Sequence, residues 1–277
     1  MRPLVSILAF VVSIACATSS PVDPIDNAED EGMVGEGEGD DVGDPAPPDP
    51  VTLLAYRIRE LSLRDPHLFA EGPAGCSDVT ALAVGAGRPE QSTLLILAPP
   101  SPAVPATHLE IELGACEETA SDARCRRAAE GPEAEAAAIN QTSGICAREI
   151  PGSTSGYSPG ITFPAGPCFQ AEPVPLQIGG SWLSLALEDA VSAARYQGDP
   201  ATGLVDGVVR GFIREVDAEG TLVETPLGAY YLSELLAGGR HNCAHRRDDR
   251  DRSPDGSRGW YIYLNFTAEA VALLIAS

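Results

Sequence analysis

The chain has 277 residues, with 40 acidic side chains, 18 arginines and no lysine, for a formal charge of −22. So negative a surface excludes a partner held through many phosphates, and nucleic acid is not expected. The absence of lysine excludes a Schiff-base lysine, a phosphate-loop lysine and a serine–lysine pair.

Met1-Arg2-Pro3 carries one positive charge, and Leu4 to Ala15 is uncharged and almost wholly apolar, ending in Ser13-Ile14-Ala15-Cys16. A cationic start, an apolar core and a small residue before a cut are the layout of a signal peptide, read here over residues 1–15. The apolar run is too short to cross the roughly 30 Å hydrocarbon layer as a helix. Its end resembles the bacterial lipobox, with Ser13 where leucine is usual. The resemblance implies that Cys16 becomes the lipidated first residue of an exported protein. Attachment would then rest on acyl chains at about 0.8 kcal/mol per buried CH₂. With Ala17 following, and not aspartate, the resemblance points to the outer membrane of the cell envelope. Residues 16–50 read as a disordered tether. Eleven carboxylates stand between Asp23 and Asp49 with no basic residue, and such a stretch cannot bury enough apolar area to order itself.

Residues 51–277 hold 29 acids against 17 arginines, and are long enough for one large domain or two small ones. Cys76, Cys116, Cys125, Cys146, Cys168 and Cys243 are an even set in a chain read as exported, and imply disulfides in one of 15 pairings. In chain order, Thr93–Leu97 is a short apolar strand, and Thr107–Leu113 alternates strictly as a strand with one wet face. Ala128–Ile139 reads as a short alanine-rich helix. The Gly/Ser/Pro stretch within 140–175 is either a crosslinked loop or a boundary between two parts. Leu183, Leu185 and Leu187 mark another strand. Leu204–Val216 is read as strand as far as Gly211 and helix for a turn or two after it, because two glycines weigh against a continuous helix. Tyr231–Ala237 is a short helix stopped by Gly238-Gly239, and Tyr261–Phe266 an aromatic strand. The expected fold is mixed and β-rich (α+β): an antiparallel sheet or sandwich with a few short helices and disulfide-stapled loops.

His241, Cys243 and His245 would share one side of an extended chain, a set suited to zinc; a disulfide at Cys243 competes with that reading. Asp249, Asp251, Ser253 and Asp255 follow calcium-loop spacing, but Pro254 and Trp260 stand where glycine and glutamate belong. Glu110 and Glu112 share a strand face as a pair that could process carbohydrate, although acids on a wet face need no such role. Gly152-Ser153-Thr154-Ser155-Gly156 superficially resembles a nucleophile elbow, but threonine stands at its centre and no apolar strand precedes it, so it reads as a flexible turn. His67 and His108 have no evident partners. Trp260, Tyr261 and Tyr263 are either a stacking platform or interior strand residues. Asn140 and Asn265 fit a glycosylation pattern that the bacterial-type leader makes irrelevant. The reading that results is a surface-anchored, non-catalytic binding or envelope-structural lipoprotein, with a protein or glycan as ligand. The alternative is an extracellular metal-dependent hydrolase using residues 241–255, with zinc or calcium on His241, His245, Asp249, Asp251 and Asp255; the first reading needs no cofactor.

Overall fold

The structure is a computed structural model that describes residues 54–73, 75–83, 92–99, 101–118, 123–127, 133–179, 183–225 and 228–274. Cys16 and the segments 1–15 and 16–50 lie outside the described residues. Strands dominate. In chain order the elements are β1 (Leu54–Asp65), the hairpin β2 (Phe69–Gly72) and β3 (Gly75–Asp78), one helical turn α1 (Thr80–Ala83), β4 (Ser92–Ala98), β5 (Ala106–Glu118), β6 (Ala123–Arg127) and β7 (Ala134–Gln141). There follow β8 (Cys168–Ala171), β9 (Val174–Gly179), β10 (Ser184–Gln197), β11 (Gly203–Arg214), α2 (Glu215–Gly220), the hairpin β12 (Leu222–Thr225) and β13 (Gly228–Tyr231), α3 (Leu232–Leu235), β14 (Asp251–Arg252) and β15 (Arg258–Leu274).

Eight of these strands close on themselves. β1, β4, β5, β7, β8, β10, β11 and β15 pair with their neighbours in that order, always antiparallel, and β15 returns to β1. The expected antiparallel architecture is therefore a barrel whose wall follows chain order, and closure removes the open edges that a sheet would expose. Eight strands leave an interior that side chains can fill. Here Tyr56, Leu61, Leu95, Leu97, Leu109, Ile111, Phe169, Leu204, Trp260, Ile262, Leu264 and Phe266 belong to one buried cluster. Burial of each large apolar side chain contributes on the order of 1.5–3 kcal/mol. The outer wall carries ion pairs such as Arg57–Glu269, Arg195–Asp206 and Arg214–Glu188. Apolar inside and charged outside is the reverse of a membrane-spanning barrel. Among the described residues no helix is long and apolar enough to cross a membrane.

Two local expectations change. The part of the alanine-rich stretch within the described residues is strand β7, not a helix: Ala134, Ala136 and Ala138 are buried in alternation with exposed Glu135, Ala137 and Ile139. Pairing with β5 on one edge and β8 on the other overrides alanine's helix preference. Strand β11 runs past Gly211 to Arg214 before the six-residue α2 begins. Its glycines serve packing, since a Cβ at Gly207 would lie 2.6 Å from the Phe266 ring and one at Gly211 2.8 Å from Leu187 Cβ.

All six domain cysteines pair, as Cys76–Cys243, Cys116–Cys125 and Cys146–Cys168. Disulfides on this scale are consistent with an exported protein. The end of β5 and β6 lie over the outer face of β1 and β4, where Cys125 packs with Ala55, Leu94, Ile96 and Val271. Within the 140–175 stretch, residues 142–167 between β7 and β8 are a strap on the barrel wall, crosslinked by Cys146–Cys168. Ile150, Ile161 and Phe163 cover Phe212, Tyr261 and Tyr263. Asn265 fixes the strap by accepting from Thr162 N–H and donating to Thr162 O at 2.8 and 2.6 Å.

Candidate functional site

The ends of β1 and β11 meet the start of β15, with Asp65 opposite Tyr263 and Arg214 opposite Gly259. At this end of the barrel the chain between β11 and β15 builds α2, the β12–β13 hairpin, α3 and the long segment 238–250. Three links hold that segment and the two residues before it. Cys243 is bonded to Cys76 of the β2–β3 hairpin. Leu68 bridges Leu236, and the buried Trp260 indole donates to Ala237 O at 3.0 Å.

Beneath the segment three carboxylates converge. Asp65 is 3% exposed and accepts from Ser155 N–H at 2.9 Å. Burial raises its pKa, with the Asp249 charge adding to the rise and backbone N–H groups of the strap opposing it. Asp249, with a side chain 7% exposed, accepts the Tyr157 hydroxyl. Asp251 accepts from Tyr261 N–H at 2.9 Å. Its pKa is pushed up to about 6, first by burial, then by the charges of Asp65 and Asp249 against the lowering effect of the Tyr261 bond. Tyr157 ties the group together. Its ring stacks on His67 with centroids 4.0 Å apart, and the Arg247 guanidinium lies 4.2 Å from its centroid on a face. His67 is bonded through Nδ1 to Asp78 Oδ2 at 2.5 Å. Burial opposes ionisation of Asp78, but bonds from Thr80 and His67 hold its carboxyl below the usual range.

Above the segment lies an open pocket of about 360 Å³ lined by Glu219, Tyr231, Ser233, Glu234, Arg240 and His241. Glu219 comes from α2, Glu234 from α3, and the two cationic or basic residues from the loop after α3. Glu234 is oriented by accepting from Tyr231 N–H at 2.8 Å. Arg240 Nε donates to His241 Nε2 at 3.2 Å, which sets the imidazole as acceptor on that nitrogen. His241 adopts φ +61°, a left-handed conformation uncommon outside glycine. Among the described residues neither Glu219 nor Arg240 forms an ion pair, so the charges of this pocket face solvent unspent. Tyr231 is 48% exposed, and its strand partner Leu222, on the same face of the hairpin, is 57% exposed.

The structure disperses the proposed metal ligands. Residues 241–245 turn instead of extending, because Asn242 is buried with its amide donating to Glu234 O and its carbonyl accepting from Ala244 N–H. His241 faces the pocket, Cys243 is in a disulfide and His245 is exposed. Asp249 and Asp251 point into the carboxylate group, whereas Asp255 organises an exposed turn. There it accepts from Ser257 N–H and pairs with the Ser253 hydroxyl, and these bonds hold its pKa down to about 2. Among the described residues no group of three or more His, Cys, Asp and Glu side chains is arranged to hold a metal ion.

Other candidates settle into structural roles. Glu112 is 1% exposed rather than wet, and Glu110 is bonded to Arg127 at 2.7 Å. Ser153 packs its hydroxyl against Ile150 O and Tyr263, so the 152–156 turn is pinned and not flexible. His67 has Asp78 and Tyr157 as partners, and His108 lies 3.8 Å from Glu135. Trp260, Tyr261 and Tyr263 are at most 7% exposed, which removes the stacking platform. Asn140 and Asn265 are buried and bonded, Asn140 to Ser101 O and Val104 O. Sequence reasoning missed Asp65, Tyr157, Glu219, Tyr231, Glu234 and Arg240. No local pattern marks them, for the topology alone brings four segments together. Comparison of the chain with protein-family models, with curated proteins and with solved structures finds no match.

Proposed function

We propose that the protein is a surface-anchored, non-catalytic binding lipoprotein that presents the pocket around Arg240, His241, Glu219, Glu234 and Tyr231 to a ligand. In this reading Cys16 carries the lipid, residues 16–50 hold the barrel away from an outer membrane, and the barrel is a rigid support. The observation that supports it is the pocket itself. Its charged groups do not neutralise one another, and Arg240 and His241 stand on a loop tied by the Cys76–Cys243 disulfide and, at its start, by the Trp260 bond to Ala237 O. Pockets of roughly 300–1,000 Å³ are the usual size for small ligands, and a preorganised site loses less entropy on binding.

Two measurements test the proposal. Mass spectrometry of the mature N-terminus should find an acylated cysteine at position 16; an unmodified terminus elsewhere would remove the anchor. Material released from cell envelopes should be retained by the immobilised wild-type protein and released from the Arg240→Gln, Glu234→Gln double variant. Equal retention by both would remove the pocket from the function.

A further inference from the structure

We propose that the ligand is a short peptide in zwitterionic form, its carboxylate on Arg240 and its ammonium on Glu219 and Glu234. The inference rests on reading this pocket as the ligand site. Charge distribution carries it. One guanidinium and one imidazole stand on the loop after α3, and two carboxylates on the helices before it, around one volume of about 360 Å³. Arg240 donates to His241 and not to either carboxylate. An anion alone would meet two repelling glutamates, and a simple cation would leave the guanidinium unused. A ligand bearing both charges satisfies both sets, and charge-assisted hydrogen bonds to each end are the strong kind.

The rim distinguishes a peptide from a bare amino acid. Leu222 and Tyr231 are directly paired across the β12–β13 hairpin and present adjacent side chains on its exposed face. Tyr231 also lines the pocket, so the apolar face continues from the charged one. A side chain attached near a charged terminus would lie against it. A neutral glycan is less well served, because the other aromatic candidates are buried in the wall and one exposed tyrosine is left beside the charges.

Isothermal titration of the full mature chain tests this with four probes: alanyl-leucine, its N-acetyl form, its C-terminal amide and N-acetylglucosamine. The free dipeptide should bind, and blocking either end should weaken binding about tenfold or more. Arg240→Gln should weaken the free dipeptide as much as amidation does and abolish the effect of amidation. Glu219→Gln should weaken the free dipeptide and reduce the effect of acetylation, with Glu234 holding the remainder. Both positions are exposed, and unchanged thermal melts would show that the variants fold. Blocked dipeptides binding as well as the free form, or no response to Arg240→Gln, overturns the zwitterion. If N-acetylglucosamine binds and Tyr231→Ala abolishes it while the dipeptide fails, the pocket stands as a ligand site and the peptide falls. If no probe binds, or none responds to the pocket variants, both fall.

Discussion

Asp251→Asn should stabilise the domain at pH 8 and by well under 1 kcal/mol at pH 4, the lower edge of the titration window. In the wild type the carboxyl is pushed from 3.8 to about 6 by burial and by Asp65 and Asp249. A rise of about two units corresponds to about 3 kcal/mol at 1.36 kcal/mol per unit. The sign follows from proton counting. An acid whose folded pKa is raised binds more protons folded than unfolded between about pH 4 and 6, so stability falls as pH rises through that window. Below it the carboxyl is neutral in both states and imposes no penalty. Asparagine keeps an oxygen for the Tyr261 N–H and can never ionise. Asp251 retains partial solvent contact, which screens part of the repulsion and brings the expected gain at pH 8 to about 1–3 kcal/mol. The groups facing it are Asp65 from β1 and Asp249 from the preceding loop, with Tyr157 of the strap and Arg247 turned toward Asp249. Thermal melts of the disulfide-intact variant and wild type at both pH values read the effect. A rise of about 2–4 °C per kcal/mol is expected for a domain of this size. Equal destabilisation at pH 4 and pH 8 would show that the carboxylate is a needed acceptor and not a repelled charge.

Cys76→Ser paired with Cys243→Ser opens a crosslink spanning 167 residues. The chain-entropy estimate for such a loop is about 5 kcal/mol, an upper bound here because pairing across the barrel already restrains it, and urea unfolding should show a loss of about 2–5 kcal/mol. Limited proteolysis should cut first within 238–250; a wild-type pattern would mean that packing alone holds the loop. Trp260→Phe keeps an aromatic ring but removes the donor to Ala237 O and leaves the space of the second indole ring empty in a fully buried site, and should cost about 2–5 kcal/mol in the same assay. Gly207→Ala places a methyl 2.6 Å from the Phe266 ring inside the wall. A loss of about 1–3 kcal/mol is expected, and a neutral outcome would mean that β11 can shift at its irregularity between Leu204 and Gly207.

The strands were legible where the signal is local. Alternation in Thr107–Leu113 and Leu183–Leu187 reports one covered face whatever lies opposite. It does not report closure, because a sandwich and a barrel impose the same period two. Closure here depends on β15 pairing with β1 across more than 200 residues of chain, as at Arg57 and Glu269. Strand β7 was misread for the opposite reason, since alanine's intrinsic preference is visible in sequence and the two pairing edges that overcome it are not. The cysteine count announced three bridges. Only folding reveals that Cys76 meets Cys243 rather than a nearer partner.

The site was legible in its chemistry but not in its grouping. The dense polar run from His241 to Asp255 was visible as unusual, and an extended backbone was the natural assumption for it. Asn242 defeats that assumption by folding its own amide onto Glu234 O, so His241 and His245 part. What the run does instead is divide between two faces. Arg240 and His241 face the pocket, while Asp249 and Asp251 turn under it toward Asp65. Burying like charges there opposes docking of the segment, and ordinary packing on a six-residue helix and a one-turn helix is weak compensation. The disulfide, the indole bond to Ala237 O and the Tyr157–Asp249 bond are what offset the repulsion. A loop held by such discrete links keeps its backbone fixed without filling the space above it with side chains. That is the condition under which an arginine and a glutamate can share a pocket unpaired, and it is why a ligand, and not the protein, is proposed to bring their charges together.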